Sequence, residues 1–408
     1  MPDFTSPAAV RRLGDFFERI GAILGNASRQ ASFAMYAMGL LGDGERKSVE
    51  PIAARACADP EKADALHQRL LHFSLDAKWS DRDVRREAAR YVVSAMQERE
   101  PIQTWIVDDT GFLKQGKHSV GVQRQYTGSA GKITNCQIGV SLSVTTRAEH
   151  APIDFQLYLP ASWANDPARR KEARIPEQVQ FKTKPDLALD MIRRAVDDGI
   201  PPGVVLADSA YGTSRAFRQG VRSLGLDYAV GVDPRTTVCL VGEQSPPLGN
   251  VVSVLELALG IHERGGFRRS VWRKGTKEDL SARFALRRVI TAEDKNVPAA
   301  QWEYLWLLIE WRDGEKEPSN YFLSSLPAST TKRVLIRTVM QRWRTERVYE
   351  DLKGELGLDH FEGRRFPGWH HHVSVVLCCY AFIIAERTRH FPPSARGASQ
   401  NDSQRGAA

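Results

Sequence analysis

Two apolar runs that each end on acid constrain this chain more than any other feature. "TWIVDDTG" at 104–111 carries Trp105, Ile106 and Val107 straight into Asp108 and Asp109, and "GVVLADSAYG" at 203–212 ends its run on Asp208. A short apolar run bounded by turn signals reads as a buried strand. Burying an ionised carboxylate is costly unless a basic partner or a metal compensates it. If the two strands are sheet neighbours, their ends bring Asp109 or Asp108 beside Asp208, and like charges ~4 Å apart repel by about 4 kcal/mol at an effective dielectric of ~20. A divalent cation between them reverses the sign of that term.

The order of patterns around these runs sets the architecture. From about residue 8 to 100 apolar residues recur at helical spacing, as in "RRLGDFFERIGAIL" and "REAARYVVSAM". The accompanying Arg11, Arg12, Arg46, Lys47, Arg85 and Arg86 fit either a DNA-contacting helical domain or solvated helix faces. Period-two runs begin at 101, and "TGSAGK" closes a hairpin, so three sequential antiparallel strands are expected, followed by a long polar connection. A helix in "PDLALDMIRRAVDDG", the strand "GVVLAD", a helix at 215–224 and the strand "DYAVGV" then complete a β-β-β-α-β-α-β run. That order feeds an antiparallel meander into parallel strands through crossover helices. Residues 233–327 read as a separate β-rich insert, 328–392 as helical, and 393–408 as a disordered tail.

A third carboxylate comes from "STTKRVLIRTVMQRWRTERVYEDLKGEL", which reads as one long helix. Arg342, Glu346, Tyr349 and Lys353 fall on a single stripe of it, with Val334, Leu335 and Val348 on the opposite stripe. Aspartates on two strands and a glutamate on a helix of such a sheet constitute an RNase H-like nuclease site. The expected fold is therefore α/β and multidomain: a helical N-terminal domain (1–100), an RNase H-like core in two parts (101–232 and 328–392), and a β-rich insertion (233–327) between them. Hard oxygen ligands select Mg²⁺ or Mn²⁺, with two ions per site able to activate an attacking oxygen and stabilise the leaving one.

The bulk properties agree with a polyanionic partner. The formal charge is +8 at pH 7. The five cysteines are scattered, odd in number and without C-x-x-C spacing, which argues against a disulfide framework and a structural zinc site. No apolar run approaches the roughly 20 residues of a membrane span, and the N-terminus lacks a secretory signal, so a cytoplasmic protein with no membrane partner is expected.

The chain resembles the DDE-superfamily transposases of bacterial insertion sequences, in the group whose core is interrupted by a β-rich insert. It is similar to the 701-type family through "DDTGFLKQGKHSVGVQRQYTGSAGKITNCQIGVSLSV", "APIDFQLYLPASWANDPARR", "VVLADSAYG" and "GWHHHVSVVL". The resemblance implies a Tyr-x2-Arg-x3-Glu-x6-Lys signature; Arg342, Glu346 and Lys353 fit it, and Val339 stands where the tyrosine would be. It favours Asp109, the aspartate directly before a threonine, as the metal ligand, with Asp108 the alternative. The implied metal set is Asp109, Asp208 and Glu346.

The resemblance further implies cleavage at transposon ends and strand transfer into target DNA, by a homodimer assembled on DNA and associated with the nucleoid. It also implies an insert that holds a flipped base on an aromatic ring, for which Trp302, Trp306, Trp311 and Tyr321 are candidates. Candidate DNA contacts are Arg342, Lys353, Tyr349, Lys114, Lys117, Arg124, Lys132, Arg344, Arg364 and Arg365, since phosphate neutralisation dominates DNA affinity. Trp369 and His370 join them, at a helix start formed by the run His370, His371 and His372. A catalytically silent, transposase-derived DNA-binding regulator is the alternative function. A repair or RNA-cleaving nuclease of the same fold is the third.

Overall fold

The computed structural model describes residues 6–57, 59–241, 250–274, 279–298 and 301–390. The expected disordered tail at 393–408 lies outside the described residues. The first part of the chain forms helices α1 (Pro7–Leu24), α2 (Ala27–Leu41), α3 (Val49–Ala56), α4 (Pro60–Leu75) and α5 (Asp81–Gln97). Side-chain caps start them where the sequence allows it: Ser6 accepts from the Ala9 N–H, and Ser80 from that of Asp83.

Several of the basic residues in this region are spent inside the protein. Arg12 pairs at 2.5 Å with Glu386, whose side chain is fully buried. Arg85 is held by Asp81 at 2.6 Å and Asp154 at 2.9 Å, and Lys47 donates to the carbonyls of Leu40 and Gly42 at the end of α2. Arg11 and Arg46 are exposed.

The sheet begins with β1 (Thr104–Leu113), β2 (Gln123–Thr127), β3 (Lys132–Thr145) and β4 (His150–Tyr158). Gly128–Ala130 turns the β2–β3 hairpin, closed by Gly131 at φ 62°, a value that suits glycine. Two short helices, α6 (Ala161–Ala164) and α7 (Pro167–Glu172), precede α8 (Lys184–Asp197), β5 (Val204–Ala207), α9 (Ser209–Gly212), α10 (Arg215–Ser223) and β6 (Tyr228–Gly231).

Strand β4 corrects the expectation of an uninterrupted polar connection after β3. Its polar positions conceal a strand whose Asp154 is satisfied from outside the sheet, by Arg85 and by Arg194 at 2.7 Å. Desolvation raises the Asp154 carboxyl, but the Arg85 and Arg194 guanidinium groups outweigh it and hold the carboxyl well below the usual carboxylate range.

Residues 233–327 contribute β7 (Thr237–Leu240), β8 (Val252–Ser253), α11 (Val254–Glu263), β9 (Arg268–Lys274), β10 (Asp279–Thr291), β11 (Leu305–Trp311) and β12 (Asn320–Ser324). These strands continue the same sheet, whose order is β2-β3-β1-β5-β6-β12-β11-β10-β7-β8, with β4 on β3 and β9 on β10. Strand β1 runs antiparallel to β3 and parallel to β5, and β5 is parallel to β6. The result is a mixed α/β fold around one large mixed sheet.

The long helix expected after residue 330 is broken. It comprises α12 (Lys332–Val339), a 3₁₀ turn at Met340–Trp343, and α13 (Arg344–Gly354). No proline or glycine marks the break. Helix α12 buries Leu335, Ile336 and Val339 on the Ile106–Leu206 face of the sheet. Leu335 and Val348 are interior, as the stripe required, but Val334 is 52% exposed.

The last helix, α14 (Phe366–His390), starts seven residues before "VSVVL" and is long and apolar enough to cross a membrane, yet it is almost wholly buried in the protein. It is a core helix, against which α1, α2, α4 and α5 pack. Phe16 of α1 forms a cluster of rings with Tyr91 and Phe382, at 4.4 and 6.0 Å.

Candidate active site

The parallel register of β1 and β5 pairs Thr104 with Val204 and Ile106 with Leu206. Continued two residues, it sets Asp108 level with Asp208. Alternation along a strand then divides the two adjacent aspartates. Ile106 faces α12, so Asp108 and Thr110 share that side of the sheet, while Asp109 points to the other. Asp208 follows β5 as the N-cap of α9, its carboxylate accepting the Ala210 N–H at 2.9 Å. Gly212 closes this turn tightly against β6: a Cβ there would meet the Gly231 carbonyl oxygen at 2.1 Å.

One cleft of about 630 Å³ gathers Asp108, Asp109, Asp208, Arg342, Glu346, Tyr349 and Lys353. The sequence offered Asp108 and Asp109 as alternatives beside the other five, and both border the cavity. Asp108 accepts from the Arg342 guanidinium at 2.7 Å. Burial pushes the Asp108 carboxyl up to about 7, against the pull of Arg342 and with the Asp208 charge adding to the rise. Glu346 is exposed on the first turn of α13. Tyr349 bonds the Ser141 hydroxyl at 2.7 Å, so it braces α13 on β3. Lys353 donates to Thr110 Oγ1 at 2.9 Å and the Gly111 carbonyl at 2.8 Å, which commits two of its three N–H donors to β1.

Asp109 has partners that sequence reasoning missed. Lys184 Nζ lies 3.2 and 3.1 Å from its two oxygens, and the Tyr211 hydroxyl donates to Oδ2 at 2.9 Å. A signal for Lys184 existed: it opens α8 inside the capping box of Thr183 and Asp186, where a cation opposes the helix dipole and needs a reason to be there.

The remaining expected contacts divide. Lys117, Arg124, Lys132 and Arg364 are exposed. Lys114 turns inward to the Phe361 carbonyl at 2.6 Å, and Arg365 pairs with Asp76. Arg344 caps the β3–β4 turn through the carbonyls of Thr146 and Ala148, at 2.8 and 2.6 Å.

Trp369 and His370 need correction as DNA contacts, because both are interior. Trp369 packs edge-on against Phe112 and Phe155, and His370 Nδ1 faces the Phe366 carbonyl at 3.0 Å. The whole histidine run is structural: His371 stacks on Trp79 at 3.8 Å, and His372 meets the Tyr36 hydroxyl at 2.8 Å. Burial pushes His370 and His372 down to about 4, so neither carries charge at neutral pH.

Of the aromatic candidates, Trp311 and Tyr321 are buried, and Trp302 and Trp306 spend their indole N–H on the Val297 and Pro327 carbonyls. Trp343 was missed. It is 44% exposed, lies 4.2 Å beneath the Arg273 guanidinium, and borders a second cavity of about 500 Å³ that shares Asp208, Arg342 and Glu346 with the first. Tyr126, 63% exposed on the β2–β3 hairpin, borders the first cavity.

Among the described residues no group of three or more His, Cys, Asp or Glu side chains stands close enough to hold a metal as placed. The donor chemistry nevertheless fits a hard divalent cation. Asp108, Asp208 and Glu346 offer only carboxylate oxygens to one cleft, and the most buried of them is strained toward protonation with Arg342 as its cationic neighbour.

Two family models match the chain. The family described as "DDE superfamily endonuclease" matches residues 16–278, and the one described as "Transposase DDE domain" matches 175–382. A curated relative from Microchaete diplosiphon, the "Probable transposase for insertion sequence element IS701", is 27% identical over 202 residues, 49% of this chain and 48% of the relative. The chain thus spans about half the length of the curated relative it matches.

Proposed function

The chain belongs to the DDE superfamily of endonucleases and carries a transposase DDE domain, and from that premise we propose that it cuts DNA at the ends of an insertion sequence and joins the freed ends to target DNA. One observation carries this reading: Asp108 lies level with Asp208 on the face of the sheet over which the Glu346 helix packs. The strand order β4-β3-β1-β5-β6, an antiparallel meander followed by two parallel strands, supports an RNase H-like core. In this reading 101–232 and 328–392 form the core, 233–327 is the insertion that grips the element's end, and helices 1–100 add DNA contacts. A silent regulator has no physical reason to keep three carboxylates in one cleft.

We assign Asp108, Asp208 and Glu346 as the residues that would hold two Mg²⁺ or Mn²⁺ ions. When bound there, such ions supply activation of an attacking oxygen and neutralisation of the leaving one. The protein's own groups do the rest. Arg342 offers its guanidinium to the phosphate next to Asp108, and Lys353 keeps one N–H for a second phosphate while clamping β1. Exposed Lys117, Arg124, Lys132 and Arg364 add backbone contacts that orient the duplex without reading bases. Joining two ends to one target calls for two sites held together, so the working form is a homodimer on DNA, acting in the cytoplasm at the nucleoid.

The test is incubation of the full chain with labelled element-end DNA and Mg²⁺, comparing the parent with Asp208→Asn and Glu346→Gln. Retained binding with lost cutting is expected. Cleavage that survives both substitutions overturns the assignment.

A further inference from the structure

We propose that Asp109, Lys184 and Tyr211 form a brace that fixes the acidic end of β1 against α9, so that Asp109 positions the cation-facing carboxylates instead of holding a cation itself. The inference rests on the reading above, in which Asp108, Asp208 and Glu346 receive divalent ions.

Both Asp109 oxygens are already occupied. Lys184 bridges them at 3.2 and 3.1 Å, and the phenol of Tyr211 takes Oδ2 at 2.9 Å. These bonds satisfy the charge of Asp109, which borders the cleft with its oxygens turned to Lys184 and Tyr211. Lys184 is tied to a capped helix start, and Tyr211 is fully buried against Phe217.

The brace also reaches both ligand-bearing elements. Tyr211 sits three residues after Asp208 on the same short helix, so its bond to Asp109 sets α9 relative to β1. The Asp109 N–H in turn donates to Asp108 Oδ1 at 2.8 Å, so a shift of Asp109 is passed on to the carboxylate that faces the cleft. Partners of this kind, one bond removed from a ligand, typically change metal affinity about 10- to 100-fold when removed.

Mn²⁺ binding to the full chain without DNA, followed by electron paramagnetic resonance, separates the roles. Tyr211→Phe and Lys184→Met are expected to weaken Mn²⁺ binding about 10- to 100-fold, with Lys184→Arg recovering most of the loss because it restores the charge. Asp109→Asn should match Tyr211→Phe, whereas Asp108→Asn should abolish binding. The metal-free Tyr211→Phe protein should melt within about 4 °C of the parent, which excludes unfolding as the cause. Asp109→Asn abolishing binding as completely as Asp108→Asn would overturn the brace, as would parental affinity in both Tyr211→Phe and Lys184→Met. A parent that binds no Mn²⁺ would instead remove the divalent-ion reading and the brace with it.

Discussion

The guanidinium of Arg342 stands 2.7 Å from the carboxylate of Asp108, although the two residues lie more than half the chain apart. Arg342 lines the same cleft as Asp108. It partly offsets a burial that pushes the carboxyl up to about 7.

That balance predicts a pH dependence. A carboxyl raised in the folded state binds its proton more tightly there than in the unfolded chain, so its contribution to stability falls as pH rises from about 4 toward 7. Mg²⁺ should reverse the loss by binding the ionised form. Melting temperature against pH, with and without Mg²⁺, checks this: the parent should be steeper over that window than Asp108→Asn. Identical slopes would show that Asp108 does not titrate there.

Removing Arg342 should raise the pH at which cutting begins, because Asp108 loses the neighbour that favours its charge. Arg342→Ala is expected to move the acid limb of the rate profile upward by about one pH unit or more. An unmoved limb at reduced rate would assign Arg342 to phosphate alone.

Asp154 tests the framework instead of the chemistry. It neutralises Arg85, only 3% exposed, and Arg194. Asp154→Asn leaves a buried guanidinium short of its partner, and a broken buried pair costs about 3–5 kcal/mol. Its low carboxyl pKa means that the pair stabilises the fold above the ordinary carboxylate range and ceases to do so as pH falls below it. Urea unfolding at neutral and acid pH measures both effects. A loss below about 1 kcal/mol at neutral pH would contradict the pairing.

Trp343 and Tyr126 are exposed aromatic side chains that border the cavities around the carboxylates. Stacking of an unpaired base on such a ring contributes about 1–3 kcal/mol. Trp343→Ala should therefore weaken binding of an element end with a single-stranded overhang about 10- to 100-fold, with little change for a blunt duplex. 2-Aminopurine fluorescence at the terminal nucleotide gives the readout, and equal effects on both substrates would exclude stacking.

Much of the site was legible in the residues. Apolar runs ending at Asp108 and Asp208 announced strands whose ends carry acid, and the spacing of Glu346, Tyr349 and Lys353 put one face of α13 on the same cleft, with Arg342 reaching it from the 3₁₀ turn before. Local pattern suffices there because strand alternation and helical periodicity are properties of the chain itself. It fails where the compensating group is distant. Asp154 makes β4 look like a loop until Arg85 arrives from α5, and the histidine run looks exposed until Ser74, Trp79 and Tyr36 supply its partners.

What the sequence determined by itself was the kind of element most stretches form and the chemical type of the groups at their ends. Which of two adjacent aspartates meets Arg342, and which is tied to Lys184 and Tyr211, was decided only by tertiary structure. Adjacent strand residues point to opposite sides, and no feature of the strand says which side the rest of the chain will cover. The register of β1 on β5 and the packing of α12 on one face make that choice.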